Sequence, residues 1–106
     1  MRHSYALIDL KALESNIKEI KRIAGDKKII SVIKDNAYGH GAIKVIEKID
    51  DYSTIYGVAN VKEALYLKKY TDKPFIILGG FFPAEIKHFS DRLMPVVFDI
   101  DSLNIL

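Results

Sequence analysis

The hydrophobic residues of this chain change their spacing several times, and each change predicts a new element of secondary structure. The alternation of side chains over residues 5–10 predicts a short opening strand. Apolar residues then recur every three or four positions, which is typical of an amphipathic helix: Leu13, Ile17, Ile20 and Ala24. Asp9 is suited to cap this helix and Gly25 to end it.

Four runs of mostly apolar residues follow, and helical patterns separate them. The runs predict strands over residues 29–34, 54–60, 74–80 and 93–99. The intervening helices are predicted from a stripe of apolar residues (Ala42, Val45, Ile46 and Ile49), from a box-like start at Asn60 and Glu63, and from Pro83 as a first helical residue. A last helix is expected to begin within residues 101–106.

This repeat of strand and helix indicates an α/β fold with a parallel sheet. Continuous apolar strands are typical of a sheet that is covered by helices, and two architectures fit: an open doubly wound sheet and part of a (β/α)8 barrel. A complete barrel has eight strands and about 250 residues, whereas four such strands are predicted here. We therefore expect the N-terminal half of a barrel, with two unpaired sheet edges and one uncovered apolar face.

Composition narrows the classes of partner. The chain has 106 residues, of which 49% are hydrophobic and 28% charged, and its net charge is +2, so we expect one globular domain that binds neither nucleic acid nor membrane. It has no cysteine, no apolar run near the roughly 20 residues of a membrane span, and no apolar core of a secretory signal in "MRHSYALIDL". His3 and His88 have no metal-ligand spacing, so no metal site is expected. These features predict a cytoplasmic protein.

The second predicted strand ends on a lysine. With a period of two, Ile30, Val32 and Lys34 point to one face of the sheet and Ile33 points to the other. Active sites of barrels lie at the carboxyl ends of the strands, where desolvation against Val32 would free the Lys34 amine as a nucleophile suited to a Schiff base. A lysine that closes a strand and reaches into solvent is the structural alternative.

The turn after Lys34 favours a functional site. Gly39 and Gly41 permit positive φ angles, and the helix that begins near Gly41 would offer N–H groups to an anion. The hydroxyl of Tyr38 can donate a hydrogen bond to a phosphate oxygen. An amine and a phosphate-binding phenol are what a pyridoxal phosphate site requires. We expect Asn36 and His40 to shape the turn and Asp35 to be exposed.

The segment "VIKDNAYGHGA" (residues 32–42) closely resembles the cofactor-binding signature of alanine racemases. The resemblance extends along the chain, through "ALIDLKALESNI", "YGVANVKEALYLK" and "PFIILGGFFPAEI", in the family's order. It implies a pyridoxal phosphate enzyme with a barrel domain and a second β-rich domain, acting as a homodimer that interconverts L-alanine and D-alanine for peptidoglycan.

The same resemblance assigns roles to individual residues. Lys34 would hold the cofactor covalently and act as one of two bases that exchange the α-proton, and Tyr38 would bind the cofactor phosphate. Val32 and Leu78 match apolar positions that line the cofactor. The second base is a tyrosine of the other subunit in the family and lies outside residues 1–106, as do the rest of the barrel and the β-domain. We therefore expect the isolated chain to have no useful racemase activity.

Three alternatives remain open at this stage. The first is a serine or broad-specificity amino-acid racemase with the same fold. The second is a non-catalytic protein that binds pyridoxal phosphate for homeostasis, as a related single-domain barrel family does. The third is an open α/β binding module that is complete in itself.

Overall fold

The computed structural model describes residues 4–106, and these contain four strands, five α-helical segments and three short 3₁₀ helices. In chain order they are α1 (Leu10–Ala24), β1 (Ile30–Val32), α2 (Lys34–Tyr38), α3 (Ala42–Ile49), β2 (Ile55–Val58), α4 (Val61–Leu67), β3 (Phe75–Ile77), β4 (Leu93–Pro95) and α5 (Ile100–Asn104). Short 3₁₀ helices cover Asp50–Tyr52, Lys68–Tyr70 and Pro83–His88. The predicted alternation of strand and helix is confirmed.

The four strands form one parallel sheet in the order β1-β2-β3-β4. In register, Val32 lies beside Gly57, Gly57 beside Ile76, and Ile76 beside Met94. A doubly wound sheet reverses its strand order at a switch point, whereas each strand here pairs with the next one in sequence. The fold is therefore α/β with the architecture of the first half of a (β/α)8 barrel.

The two faces of this sheet have different surroundings. Alternate side chains from β2, β3 and β4, and that of Ile33 directly after β1, pack under the helices and are buried: Ile33, Tyr56, Val58, Phe75, Ile77 and Leu93. On the opposite face Val32 is 40% exposed, against 2% for Ile33 next to it in the chain. The predicted alternation along β1 is thus confirmed, and so is an incompletely covered apolar face.

The predicted helix ends are accurate where a capping residue was identified. The Asp9 carboxylate accepts a hydrogen bond from the Ala12 N–H at 3.0 Å, and Gly25 ends α1 with a φ of 64°. Pro83 is the first residue of a helix as predicted, although this helix is of the 3₁₀ type. Side-chain capping depends only on residues close in sequence, which explains this agreement.

Two predictions about strands are wrong. Residues 4–9 form no regular element, and Leu7 is 88% exposed, because within residues 4–106 no strand pairs with this segment. The four barrel strands have three or four residues each, shorter than their apolar runs. Ladder pairing stops where the backbone turns at Lys34, Asn60 and Gly80, so apolar composition alone overestimates strand length.

Polar side chains are clustered at the amino ends of the strands. Asp50 Oδ1 accepts hydrogen bonds from the Tyr56 hydroxyl at 2.8 Å and from the Thr71 hydroxyl at 2.6 Å. Arg92 donates to the carbonyl oxygens of Thr71 and Lys68. Burial, and then the hydrogen bond to Asp50, raise the pKa of Tyr56 above its ordinary value. This cluster joins three βα units at the end of the sheet opposite Lys34.

No helix within residues 4–106 combines the length and the apolar character needed to cross a membrane. Across the same residues, histidine, aspartate and glutamate side chains form no group that could hold a metal ion.

Candidate functional site

Lys34 lies at the carboxyl end of β1, where the chain leaves the sheet. The Ile33 N–H still donates to the Gly57 carbonyl at 2.9 Å, and the Ile33 side chain is buried in the core. Lys34 follows this anchored residue and is half-buried. The ladder ends at Val32, so Lys34 is the first residue of the turn rather than the last residue of the strand.

The backbone after Lys34 winds in the left-handed sense. Asp35, Asn36, Ala37 and Tyr38 have φ angles of 54° to 56°, and together with Lys34 they form the helical segment α2. Residues other than glycine rarely adopt this conformation, and four in a row are exceptional. Backbone hydrogen bonds from Ala37 to Ile33, and from Gly39 to Asp35, close the segment at 2.9 and 3.1 Å.

Asn36 joins the left-handed segment to helix α3. Its Oδ1 atom accepts a hydrogen bond from the Ala42 N–H, and its carbonyl accepts one from the Gly41 N–H, both at 2.9 Å. Gly39 and Gly41 have φ angles of 87° and 93°, as predicted from their ability to adopt positive φ. Of the N–H groups at the start of α3 that were predicted to suit an anion, that of Ala42 already donates to Asn36.

Tyr38 and His40 lie on opposite sides of Gly39 in sequence but have different surroundings. Tyr38 is 59% exposed. The His40 Nδ1 atom lies 3.0 Å from the Ala37 carbonyl oxygen, a contact within the turn. This contact agrees with the prediction that His40 shapes the turn, and Asp35 is exposed as expected.

Val32 and Leu78 come together on the incompletely covered face of the sheet. A Cβ atom placed on Gly57 would lie 3.3 Å from Val32 Cγ2 and 3.1 Å from Leu78 Cδ1. The two side chains therefore approach each other over a glycine that has no side chain between them. They form an apolar floor on the face to which Lys34 was assigned.

An open pocket of about 430 Å³ lies beside this turn. Tyr38 and Val32 line it, together with residues of the N-terminal segment, α1 and α3, whereas Lys34 and Leu78 are not in its lining. The structure thus brings Val32 together with Leu78 and with Tyr38. Lys34 directly precedes the left-handed segment, and Tyr38 is the last residue of that segment.

Glu63 contributes to the site in a way that sequence reasoning missed. The predicted box is half correct, since Asn60 Oδ1 accepts from the Glu63 N–H at 2.8 Å. The Glu63 carboxylate binds elsewhere, to the N–H groups of Ala59 and Asp35, each at 2.9 Å. No local sequence signal could predict the second contact, because it joins residues that are 28 positions apart.

The arrangement combines a half-buried lysine, a partly exposed phenol and an apolar floor at one end of a parallel sheet. An amine can add to an aldehyde, a phenol can donate to a phosphate, and apolar side chains can contact an aromatic ring. The donor set therefore suits an aromatic aldehyde that carries a phosphate group.

Comparison with known proteins identifies the family to which this chain belongs. The family described as alanine racemase, N-terminal domain, matches residues 8–106. Alanine racemase of Yersinia pestis bv. Antiqua (strain Angola) is 41% identical over 86 residues, which cover 80% of this chain and 24% of that protein. The chain thus spans about a quarter of the length of this relative.

Solved structures give the same result for the fold. Alanine racemase from Acinetobacter baumannii matches with a TM-score of 0.88 and 28% identity, over 99% of this chain and 30% of that one. A histidine racemase from Leuconostoc mesenteroides matches with a TM-score of 0.79 and 26% identity, over 91% and 27%. Alanine racemase from Bartonella henselae, which has covalently bound pyridoxal phosphate, has the same fold, with a TM-score of 0.82 and 24% identity over 92% and 29%. The chain belongs to the alanine racemase N-terminal domain family.

Proposed function

We propose that this chain is the pyridoxal-phosphate-binding half-barrel of an amino-acid racemase that interconverts L-alanine and D-alanine. One observation carries the proposal: Lys34 is half-buried at the carboxyl end of β1 and is followed at once by the left-handed segment that ends in Tyr38. A half-buried lysine directly after an anchored strand residue is better placed to hold an aldehyde cofactor than a fully exposed lysine. Membership of the family supports the same reading.

The proposed site residues divide the tasks of binding the cofactor and moving the α-proton. The Lys34 amine would hold the cofactor aldehyde covalently and, once the substrate amine has displaced it from the aldehyde carbon, would take and return the α-proton on one face of the substrate. The Tyr38 hydroxyl donates a hydrogen bond to the cofactor phosphate. Val32 and Leu78 form the apolar floor under the ring, which excludes water from that side. When bound, pyridoxal phosphate supplies an electron sink that acidifies the α-carbon proton of an attached amino acid.

Inversion at the α-carbon requires a second proton donor on the opposite face. None of the four proposed site residues supplies it, and we assign it to a part of the enzyme beyond residues 1–106. We propose that the complete enzyme adds the rest of the barrel and a β-rich domain, works as a cytoplasmic homodimer, and supplies D-alanine for peptidoglycan. The relatives' greater length supports this division.

A chimaera tests the proposal. Residues 8–106 would replace the matching N-terminal segment of the Yersinia pestis relative, and formation of D-alanine from L-alanine would be measured. We expect racemisation by the chimaera and none after Lys34→Ala, while Lys44→Ala, which changes an exposed lysine on α3, serves as the matched control. A chimaera that folds and binds the cofactor but does not racemise would favour a non-catalytic carrier instead.

A different amino-acid substrate is the second candidate. The fold match to a histidine racemase at 26% identity favours it, because this half-barrel architecture occurs in enzymes with different substrates. The Lys34 and Tyr38 tasks are the same for alanine, serine and histidine, since both residues are assigned to the cofactor and Lys34 also to the α-proton that these substrates share. Rates with L-alanine, L-serine and L-histidine, compared in the complete enzyme proposed above, distinguish the substrates.

A further inference from the structure

The carboxylate of Glu63 connects two βα units at the carboxyl end of the sheet. Its Oε1 atom accepts from the Ala59 N–H, directly after β2, and its Oε2 atom accepts from the Asp35 N–H, directly after Lys34. Both distances are 2.9 Å, and Glu63 itself is half-buried on the first turn of α4. One side chain therefore ties the exit of β2 to the residue that follows the proposed catalytic lysine.

The Asp35 N–H joins the left-handed segment to a side chain of a different βα unit. The amides of Ala37, Gly39 and Gly41 donate to carbonyl groups of residues 33, 35 and 36, all within the segment or next to it. Asp35 is the first of the four residues with positive φ, and its amide donates to a different βα unit. The local hydrogen bonds close the turn, and the bond to Glu63 additionally ties the turn to the βα unit of β2.

A helix-capping role alone does not account for this geometry. A glutamate at the third helical position commonly binds an N–H at the start of its own helix, and Glu85 does this with the Phe82 N–H at 2.8 Å. Glu63 makes a similar contact through one oxygen, with the N–H of Ala59, the residue before the N-cap Asn60. Its second oxygen reaches back across 28 residues to Asp35, and capping does not require that contact.

We propose that Glu63 is a positioning residue for Lys34: by holding the Asp35 N–H, it fixes the orientation in which the left-handed segment presents the amine to the cofactor. This inference rests on the proposed role of Lys34. Both hydrogen bonds that the Glu63 carboxylate accepts come from backbone N–H groups, so in this role Glu63 acts on Lys34 through the backbone. The backbone of residues 35–38 is strained by its positive φ angles. Loss of this bond therefore makes residues 35–38 more mobile, while the buried core keeps its structure.

The first test needs no cofactor. Amide hydrogen exchange would be measured on the 106-residue chain and on its Glu63→Ala, Glu63→Gln and Glu85→Ala variants. We expect exchange of the residue 35–38 amides to be about tenfold faster in Glu63→Ala, the change that loss of one charge-assisted hydrogen bond produces. Glu85→Ala loses a similar carboxylate–amide bond in a neighbouring unit and should leave these amides unchanged. Unchanged exchange in both Glu63 variants would overturn the proposal.

The second test reports on Lys34. The same proteins would be incubated with subsaturating pyridoxal phosphate and reduced with borohydride, and the fraction modified at Lys34 would be measured by peptide mapping. We expect about a tenfold lower apparent affinity in Glu63→Ala. The isosteric Glu63→Gln, which keeps one acceptor oxygen and so preserves the fold, should show a smaller loss.

The outcomes separate the two proposals. One outcome would overturn the positioning role while leaving the function of Lys34 intact. In it, Lys34 is modified equally in the parent, Glu63→Gln and Glu85→Ala chains, and Glu63→Ala is either modified to the same extent or unfolded. Absence of modification at Lys34 in the parent chain would instead contradict the proposed function. A loss of similar size in Glu85→Ala would show general destabilisation and would also overturn the positioning role.

Discussion

Asn36 and Ala42 are joined by a 2.9 Å hydrogen bond from the Ala42 N–H to Asn36 Oδ1. This bond makes the left-handed segment and helix α3 depend on each other, since Asn36 is itself one of the four residues with positive φ. Asparagine tolerates this conformation better than most residues, and its side chain replaces the missing partner of a helix N–H. One residue thus serves both the turn and the helix that follows it.

Replacement of Asn36 by alanine should therefore destabilise the chain. We expect a loss of about 1–2 kcal/mol in the free energy of unfolding, the range for removal of a side-chain cap. Asn36→Asp retains an acceptor oxygen and the tolerance of positive φ, and it should stay close to the parent chain. Urea denaturation of both variants provides the measurement; equal stability of Asn36→Ala and the parent would show that the bond is unimportant.

Gly79 and Gly57 should respond differently to alanine. A Cβ on Gly79 would collide with the backbone carbonyl of Ala59, which also accepts the Gly79 N–H, so neither atom can move without breaking the pairing of the two segments. We expect a loss of about 1–3 kcal/mol for Gly79→Ala, as for other overpacked sites. Gly57→Ala meets only the tips of Val32 and Leu78, which are not fully buried, and it should cost less. Thermal or urea unfolding would rank the two variants, and the reverse order would contradict this account.

Ionisation of Tyr56 should lower the free energy of unfolding at alkaline pH. Its pKa is raised in the folded chain by burial and by the Asp50 hydrogen bond, so above the ordinary value of about 10 the unfolded chain loses this proton first. Folding stability should then fall by about 1.4 kcal/mol per pH unit from this group as the pH rises further. Below that pH the contribution of Tyr56 is fully present.

Tyr56→Phe removes the titrating hydroxyl while keeping the ring. The free energy of unfolding would be measured by urea titration between about pH 8 and 11, a range that spans the ordinary tyrosine pKa. It should fall less steeply with rising pH in this variant than in the parent. At neutral pH we expect a cost of about 0.5–1.5 kcal/mol, because Asp50 loses one of its donors. The same alkaline slope in both proteins would assign the loss to another group.

The parts of the fold that sequence predicts well depend on neighbours in the chain. Asp9 and Asn60 cap the helices that follow them, and the buried stripe of α3 consists of the four apolar residues identified from their spacing. Alternation along β1 correctly separates Val32 from Ile33. These features are fixed by local backbone geometry and by a repeating apolar pattern, so a single sequence contains them.

The parts that sequence misses depend on distant residues. Glycines at positions 39 and 41 indicate positive φ, but nothing about Ala37 or Tyr38 does, and the left-handed segment was therefore not predicted. The Glu63–Asp35 bond exists only because parallel pairing brings the ends of β1 and β2 together. The prediction of an opening strand is wrong for a related reason. A strand needs a neighbouring strand to pair with, and residues 4–9 have none within the described chain.

The identity of the lysine that binds the cofactor is the most direct test of the whole account. The 106-residue chain would be incubated with pyridoxal phosphate, reduced with borohydride and mapped peptide by peptide. We predict that Lys34 is modified well before exposed lysines such as Lys44 and Lys69, and that Lys34→Arg abolishes this preference. Modification spread evenly over the exposed lysines, with Lys34 no more reactive than they are, would contradict it.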